Sequence, residues 1–287
     1  MGCGSSKHHG VPSGSQTTRS GPAVTLQKKS DGPSGQPRFI AIPDKYQSLQ
    51  EVQQALRQAG LESSNLLIGI DYTKSNTWNG NRTFQGKCLH QIEPGILNPY
   101  QEAIAIVGET LAAFDDDNLI PCFGFGDSRT TDKSVFKFTA DRPCFGFQEV
   151  LNTYNEITPL ISLSGPTSFA PLIREAINIV SQSRQYHILV IIADGEVTVV
   201  NETTKAIVEA SQYPLSIITV GVGDGPWDLM EKFDDDLPER QFDNFQFVNY
   251  SSIMSKAENR KVEFAVAALQ EIPDQFAAIK QLGLLSN

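Results

Sequence analysis

The sequence lacks the patterns that would place it across a membrane or on nucleic acid. No apolar run approaches the roughly 18 to 20 residues that a spanning helix needs, and the N-terminus has no apolar core of a secretory signal. The net charge of −10 argues against nucleic acid as the partner, because phosphate binding requires a basic face. These absences leave a globular protein that acts on other ligands.

Cysteine is scarce and scattered. Cys3, Cys88, Cys122 and Cys144 form no C-x-x-C pair, which argues against a zinc cluster or a dense disulfide framework. Without a secretory signal, we expect reduced thiols in an intracellular protein. The sequence also has no G-x-S-x-G, G-x-x-x-x-G-K-[ST] or G-x-G-x-x-G motif, so the commonest nucleophile and nucleotide loops are missing.

Residues 1–37 have the composition of a disordered tail. They contain no aromatic residue and are about half Gly, Ser and Pro, which supplies too little apolar surface for a core. Four basic residues oppose one acidic residue, so the tail carries +3 and leaves −13 for the remainder. We therefore place the domain boundary between residues 37 and 38.

The first residues of the tail, MGCGSS, match the N-myristoylation pattern with Gly2 as the acceptor. The neighbouring Cys3 is placed for palmitoylation, and two acyl chains anchor a protein to a membrane far more stably than one. Nearby lysines add attraction to anionic lipid. We expect the tail to tether the protein to the cytoplasmic face of the plasma membrane, and the unanchored protein to enter the cytosol or nucleus.

Residues 38–287 alternate between helical and strand patterns. NLLIGID, HILVIIADG, LSIITVGVGDG and FQFVNY are apolar runs typical of buried strands, and PCFGFGD and SVFKF predict a further pair. The best-marked helix starts with Asn98 as its cap, Pro99 at the first position and Gln101 as the capping-box partner. Another helix is predicted to be capped at Asn201. The alternation predicts the α/β class, with a doubly wound, mostly parallel sheet and helices on both faces.

In such a sheet, ligands bind outside the carboxyl ends of the strands. Asp71, Thr73 and Ser75 follow the first buried strand, Asp194 follows HILVIIA, and Thr167 precedes the helix that leads into HILVIIA. We expect three loops to bring two carboxylates and three hydroxyls together. Hard oxygen ligands of this kind suit one Mg²⁺ or Mn²⁺.

The segment DYTKS resembles the D-x-[ST]-x-S element of the metal-ion-dependent adhesion site of von Willebrand factor A domains. Thr167 and Asp194 match the second and third loops of that site. The resemblance implies that Asp71, Thr73, Ser75, Thr167 and Asp194 hold the metal, and that an Asp or Glu of a protein partner completes it. Trp78, in the loop after Ser75, is a candidate partner contact.

Further segments resemble the copine type of this domain, among them NPYQEAI, PTSFAPLI, IIADGEVT and ALQEIPDQ. The acylated tail before the domain resembles the plant RING domain ubiquitin ligases of that family most. No C-x-x-C occurs after Cys144, so these residues contain no RING finger, and we expect no catalytic site in them.

Three functions therefore remain open. The first is a membrane-tethered, metal-dependent adaptor. The second is the substrate-recognition part of a RING-type ubiquitin ligase family, with the ubiquitination machinery as a partner by resemblance. The third is a metal-assisted hydrolase, which would need a general base that the sequence does not supply at a strand end.

Overall fold

A computed structural model describes residues 46–61, 64–115, 117–195, 197–235, 237 and 240–285. The predicted tail with its acylation residues Gly2 and Cys3, and the boundary after residue 37, lie outside these ranges and stay predictions. In the described part of the chain, no helix is both long enough and apolar enough to cross a bilayer.

The described residues form eight strands in one large and one small sheet: β1 Asn65–Asp71, β2 Leu119–Ile120, β3 Cys122–Phe125, β4 Phe136–Lys137, β5 Cys144–Phe145, β6 His187–Ala193, β7 Leu215–Gly221 and β8 Phe245–Asn249. The large sheet has the order β4-β3-β1-β6-β7-β8, and β2 pairs with β5 separately. Among the strands described for the large sheet, only β4 runs antiparallel. The long strands are buried along almost their whole length, as expected for a parallel sheet covered on both faces.

Two helical layers cover the sheet. The helices are α1 Leu49–Ala59, α2 Pro99–Leu111, α3 Gly146–Ile157, α4 Ala170–Ser183, α5 Val200–Ala210, α6 Asp228–Asp235, α7 Tyr250–Lys256, α8 Arg260–Leu269 and α9 Ile272–Gln281. Buried side chains of α1, α2, α3, α8 and α9 share one apolar cluster. Those of α4, α5 and α6 share a second cluster on the opposite face. The predicted fold class is confirmed.

The strand order reverses between β1 and β6. From β1 the chain proceeds to β3 on one side, and it later returns to place β6 on the other side. The two strands are parallel neighbours with Ile70 opposite Ile192, so their carboxyl ends lie side by side. This point is where open α/β sheets bind ligands, and it carries Asp71 and Asp194.

Local sequence signals predicted several elements closely. The capping box of α2 is present, because Asn98 Oδ1 accepts from the Gln101 N–H at 2.9 Å and Gln101 Oε1 accepts from the Asn98 N–H at 2.7 Å. The predicted cap at Asn201 is wrong. Helix α5 begins at Val200 after Val199, which makes no side-chain cap bond. The start of α5 is fixed instead by tertiary contact, since the Val199 N–H donates to the Thr167 carbonyl at 3.1 Å.

Candidate metal-binding site

The first loop of the site is built on the end of β1. Asp71 is its last residue and is fully buried. Its Oδ1 accepts from the Thr73 N–H at 2.7 Å, and the Thr73 hydroxyl lies 2.9 Å from the Ser75 hydroxyl. A short 3-10 helix from Lys74 to Thr77 turns the chain so that both hydroxyls face the same place. Because the turn folds back on Asp71, the D-x-T-x-S spacing gathers its oxygens locally.

The third loop joins this set through a direct hydrogen bond. Asp194 follows the last residue of β6 and is 1% exposed. The Ser75 hydroxyl donates to Asp194 Oδ1 at 2.9 Å. Asp71, Thr73, Ser75 and Asp194 therefore form one connected group across the point where the strand order reverses.

The second loop lies between the other two. The Lys74 N–H donates to the Ser164 carbonyl at 2.6 Å, and the Thr198 N–H donates to the Thr167 carbonyl at 2.9 Å. The Thr167 N–H in turn donates to the Thr198 hydroxyl at 3.0 Å. Thr167 is buried and so sits in a segment bonded to both neighbouring loops. The structure thus brings the predicted loops together, and the role of the Thr167 hydroxyl as a ligand stays a prediction.

The loop after β3 presses on Thr73. Gly126 has φ +80°, and a Cβ added there would lie 2.3 Å from Thr73 Cγ2. Only glycine combines this left-handed backbone with such close approach. The next residue, Asp127, caps its own turn by accepting from the Thr130 N–H at 2.9 Å.

Burial disfavours the ionised forms of the two carboxylates in the metal-free fold. Burial raises the pKa of Asp71 to about 6, although hydrogen bonds from Thr73 oppose the rise. Burial also raises the pKa of Asp194 well above its usual range, and the charge of Asp71 adds to the effect. Asp71 Oδ2 has no hydrogen-bond partner among the described residues. A buried carboxylate oxygen without a donor is an ordinary feature of a cation site.

The donor set fits a hard divalent cation. In the described ranges, no three or more His, Cys, Asp and Glu side chains are placed so that together they could hold a metal ion. A metal here would depend on two carboxylates, the nearby hydroxyls and water. Mg²⁺ is commonly held by one or two carboxylates and retains several waters, and Mn²⁺ accepts the same oxygens.

A buried network supports Asp71 from behind, and sequence reasoning missed it. His90 Nε2 donates to the Asp71 carbonyl at 2.7 Å, and His90 Nδ1 accepts from the Tyr154 hydroxyl at 2.8 Å. The imidazole is stacked between Tyr72 and Tyr100, with ring centroids 4.7 Å and 4.0 Å away. Burial lowers the pKa of His90 to about 3, so the ring is neutral at physiological pH. The sequence shows only a lone histidine in a loop, with no spacing that indicates this role.

Asn76 belongs to the same support. It lies in the 3-10 helix after Thr73. It is also fully buried, where it donates to the Thr73 carbonyl at 3.0 Å and accepts from the Tyr100 hydroxyl at 2.8 Å. Asn76 therefore joins the first loop to α2.

The rim of the site combines an aromatic and a cationic side chain. Trp78 is 52% exposed, which agrees with its prediction as a partner contact without testing it. Lys74, between the two hydroxyl residues, is exposed as well. Asn79 was not predicted: its Nδ2 donates to Asp194 Oδ2 at 3.1 Å. Its position, four residues after Ser75 and one helical turn away, is the signal that could have found it.

Comparisons with known proteins found a matching family and related sequences. A family model described as Copine matches residues 88–287. E3 ubiquitin-protein ligase RGLG2 of Arabidopsis thaliana is 55% identical over 267 residues, which are 87% of this chain and 57% of the ligase. Copine family protein 2 of Caenorhabditis elegans is 53% identical over 246 residues, covering 84% of this chain and 3% of that protein. The chain thus spans less than two thirds of either relative.

A solved structure, von Willebrand factor type A from Catenulispora acidiphila, has a TM-score of 0.44 and 16% identity to this chain. The match covers 72% of this chain and 43% of the other one.

Proposed function

The chain belongs to the copine family, and from that premise we propose that it is a divalent-metal-dependent protein-binding module. Its partner presents an Asp or Glu side chain to the site. The observation that carries the proposal is the pair of buried carboxylates, Asp71 and Asp194, joined through Thr73 and Ser75 at the edge of the sheet.

The predicted ligand residues contribute two kinds of oxygen. Asp71 and Asp194 supply negative charge, and Thr73, Ser75 and Thr167 supply neutral oxygens. A bound Mg²⁺ or Mn²⁺ would offer a coordination position to the carboxylate of the partner. The two carboxylates formally balance the charge of a divalent ion, and a partner carboxylate is a hard oxygen ligand that can replace water at the remaining position. The exposed Lys74 and Trp78 flank the site, so we expect the acidic residue to be followed or preceded by a further acidic or apolar side chain.

A peptide-display library provides the test. Peptides retained by the full chain in Mn²⁺ and released by EDTA are resynthesised with each Asp or Glu changed to its amide. We expect binding to require the metal, one particular carboxylate of the peptide and Asp71, so Asp71→Ala abolishes it. Peptides that bind equally in EDTA and to Asp71→Ala would contradict the proposal.

The tail adds a tether in this account. Acylation of Gly2 and Cys3 would hold the module at the cytoplasmic face of the plasma membrane. Labelling with an alkyne analogue of myristate should mark the chain and fail with Gly2→Ala. Cys3→Ser should keep the myristate label and lose stable membrane association. A labelled Gly2→Ala variant would refute this assignment.

A second function is favoured by the identity to a protein named as a ubiquitin ligase. The module would then recognise the substrates of such a ligase. In a reaction with the activating enzyme, the conjugating enzyme and the full-length ligase, excess chain should inhibit substrate ubiquitination. Asp71→Ala should not inhibit it. Equal inhibition by both proteins would exclude recognition through the metal site.

A metal-assisted hydrolase is less well supported. Such an enzyme needs a general base within reach of the metal-bound water. Both nitrogens of His90 are already engaged, one with the Asp71 carbonyl and one with Tyr154. Turnover of a substrate that disappears in Asp194→Ala would be required to revive this function.

A further inference from the structure

A carboxylate outside the predicted metal set clamps the loop that follows Ser75. Asp224 lies just after β7, and its side chain accepts from the Arg82 N–H at 2.8 Å, the Thr83 N–H at 3.0 Å and the Thr83 hydroxyl at 2.8 Å. The Arg82 guanidinium donates to the Asp224 carbonyl at 3.0 Å. Four separate groups of Arg82 and Thr83 are thus fixed by one residue of another loop.

The same residue also holds the backbone of Asn79. The Asp224 N–H donates to the Asn79 carbonyl at 2.8 Å. A Cβ added to Gly223 would lie 2.7 Å from that carbonyl oxygen, and one added to Gly195 would lie 3.2 Å from Asn79 Nδ2. Asn79 is therefore packed between two loops, with no room for a side chain at Gly223 and a tight contact at Gly195.

The side chain of Asn79 reaches the metal site. Its Nδ2 donates to Asp194 Oδ2 at 3.1 Å and to the Asp194 carbonyl at 3.2 Å. Ser75 donates to the other carboxylate oxygen, Oδ1, at 2.9 Å. Each oxygen of Asp194 has its own donor, which fixes the rotation of the carboxylate.

We propose that Asn79 and Asp224 are positioning residues of the site: Asp224 holds Asn79 in place, and Asn79 orients the Asp194 carboxylate toward the metal. Asn79 donates to Oδ2 of Asp194, so Oδ1 of the same carboxylate remains directed at Ser75 and the other predicted ligand oxygens. Outer partners of metal ligands set ligand orientation in this way in other metal sites. This inference rests on the proposed metal-binding function.

The first test is calorimetric titration of Mn²⁺ into the full chain and its variants. Asn79→Ala should weaken Mn²⁺ binding on the order of 10-fold, the usual scale for losing an outer partner of a ligand. Asp224→Ala should weaken it in the same direction. If Asp224 acts through Asn79, Asp224→Ala should have almost no further effect in the Asn79→Ala background.

Glu149→Ala serves as the matched control. Glu149 is also a clamp, since it accepts from Arg142 at 2.8 Å and from the Phe145 N–H at 2.5 Å. It does so beside β5, away from the carboxyl ends of β1 and β6. Its loss should leave Mn²⁺ affinity unchanged. An Asn79→Ala variant within twofold of the parent, or Asp224→Ala and Asn79→Ala effects that multiply, would overturn the proposal.

A metal-free measurement separates this inference from the proposed function. Amide hydrogen exchange, followed by mass spectrometry in EDTA, should be faster in both variants for peptides that contain Asp194 and Gly195. If Asp224→Ala speeds exchange only in the 79–83 segment, then Asp224 is merely a structural clamp and the proposal is wrong. Absence of Mn²⁺ binding by the parent would contradict the proposed function, and the exchange result would still decide the positioning role.

Discussion

Replacing Asp71 by Asn should abolish metal binding and yet stabilise the metal-free fold. The carboxylate is fully buried, and one of its oxygens has no donor among the described residues. Burial raises its pKa from 3.8 to about 6. One pKa unit corresponds to about 1.4 kcal/mol, so ionising Asp71 in the metal-free fold costs up to about 3 kcal/mol.

The sign of the pH dependence follows from proton binding. Between pH 3.8 and about 6 the folded chain holds a proton on Asp71 that the unfolded chain has released. The free energy of unfolding therefore falls as pH rises through this window and levels off above it. The amide side chain introduced by Asp71→Asn cannot ionise, so the substitution removes this fall. It also keeps an oxygen that can accept from the Thr73 N–H.

Urea unfolding in EDTA at pH 4 and pH 8 measures the effect. We expect Asp71→Asn to be about 1 to 3 kcal/mol more stable than the parent at pH 8. The range extends below about 3 kcal/mol because burying the new amide N–H group offsets part of the stabilisation. The two proteins should be nearly equal at pH 4. Asp127→Asn is the control, because Asp127 is also buried at a strand end but has donors from Thr130. A difference that is the same at both pH values would refute the reasoning.

Three further predictions concern the supports of the site and the fold. His90→Phe keeps an aromatic ring in the stack but removes two buried hydrogen bonds, leaving the Tyr154 hydroxyl with Asn98 at 3.2 Å and the Asp71 carbonyl with Asn76 at 3.4 Å. Urea unfolding should therefore show a loss of about 1 to 3 kcal/mol; equal stability of the variant would contradict the network. Arg240→Ala removes a buried 2.8 Å ion pair with Asp243 and should lower the free energy of unfolding by about 3 to 5 kcal/mol. The exposed pair lost in Arg174→Ala should lower it by less than about 1 kcal/mol. Similar losses in both variants would argue against burial as the cause. Gly126→Ala should push Thr73 and lower both the melting temperature and Mn²⁺ affinity, whereas an unchanged affinity would show that Thr73 can move freely.

The parts of the fold that sequence patterns predicted are those whose signals are local. Helix α2 carries its capping box within four residues, and β1 is a continuous apolar run. Strands β2 and β5 have two residues each and pair across more than twenty intervening residues. No local pattern marks such a pair. Helix α7 is short and polar, which gave it no apolar stripe to detect.

The same distinction applies to the site. The D-x-T-x-S spacing and the strand-end position of Asp194 follow from one loop each, and the structure places these side chains together. Asn79 acts through a bond to the side chain of Asp194, which is distant in sequence. His90 acts through a bond to the backbone carbonyl of Asp71. His90 has no signal in its own neighbourhood, and the signal for Asn79 is limited to its position one helical turn after Ser75. The cap assigned to Asn201 failed for the same reason, because a tertiary bond to Thr167 fixes that helix start.

Titration of Mn²⁺ into the full chain, with and without a peptide that bears a carboxylate, tests the central claim most directly. We predict saturable binding at one site, tighter in the presence of the peptide, and no binding by Asp71→Ala under either condition. An unchanged titration in Asp71→Ala, or no binding by the parent with or without peptide, would contradict the account.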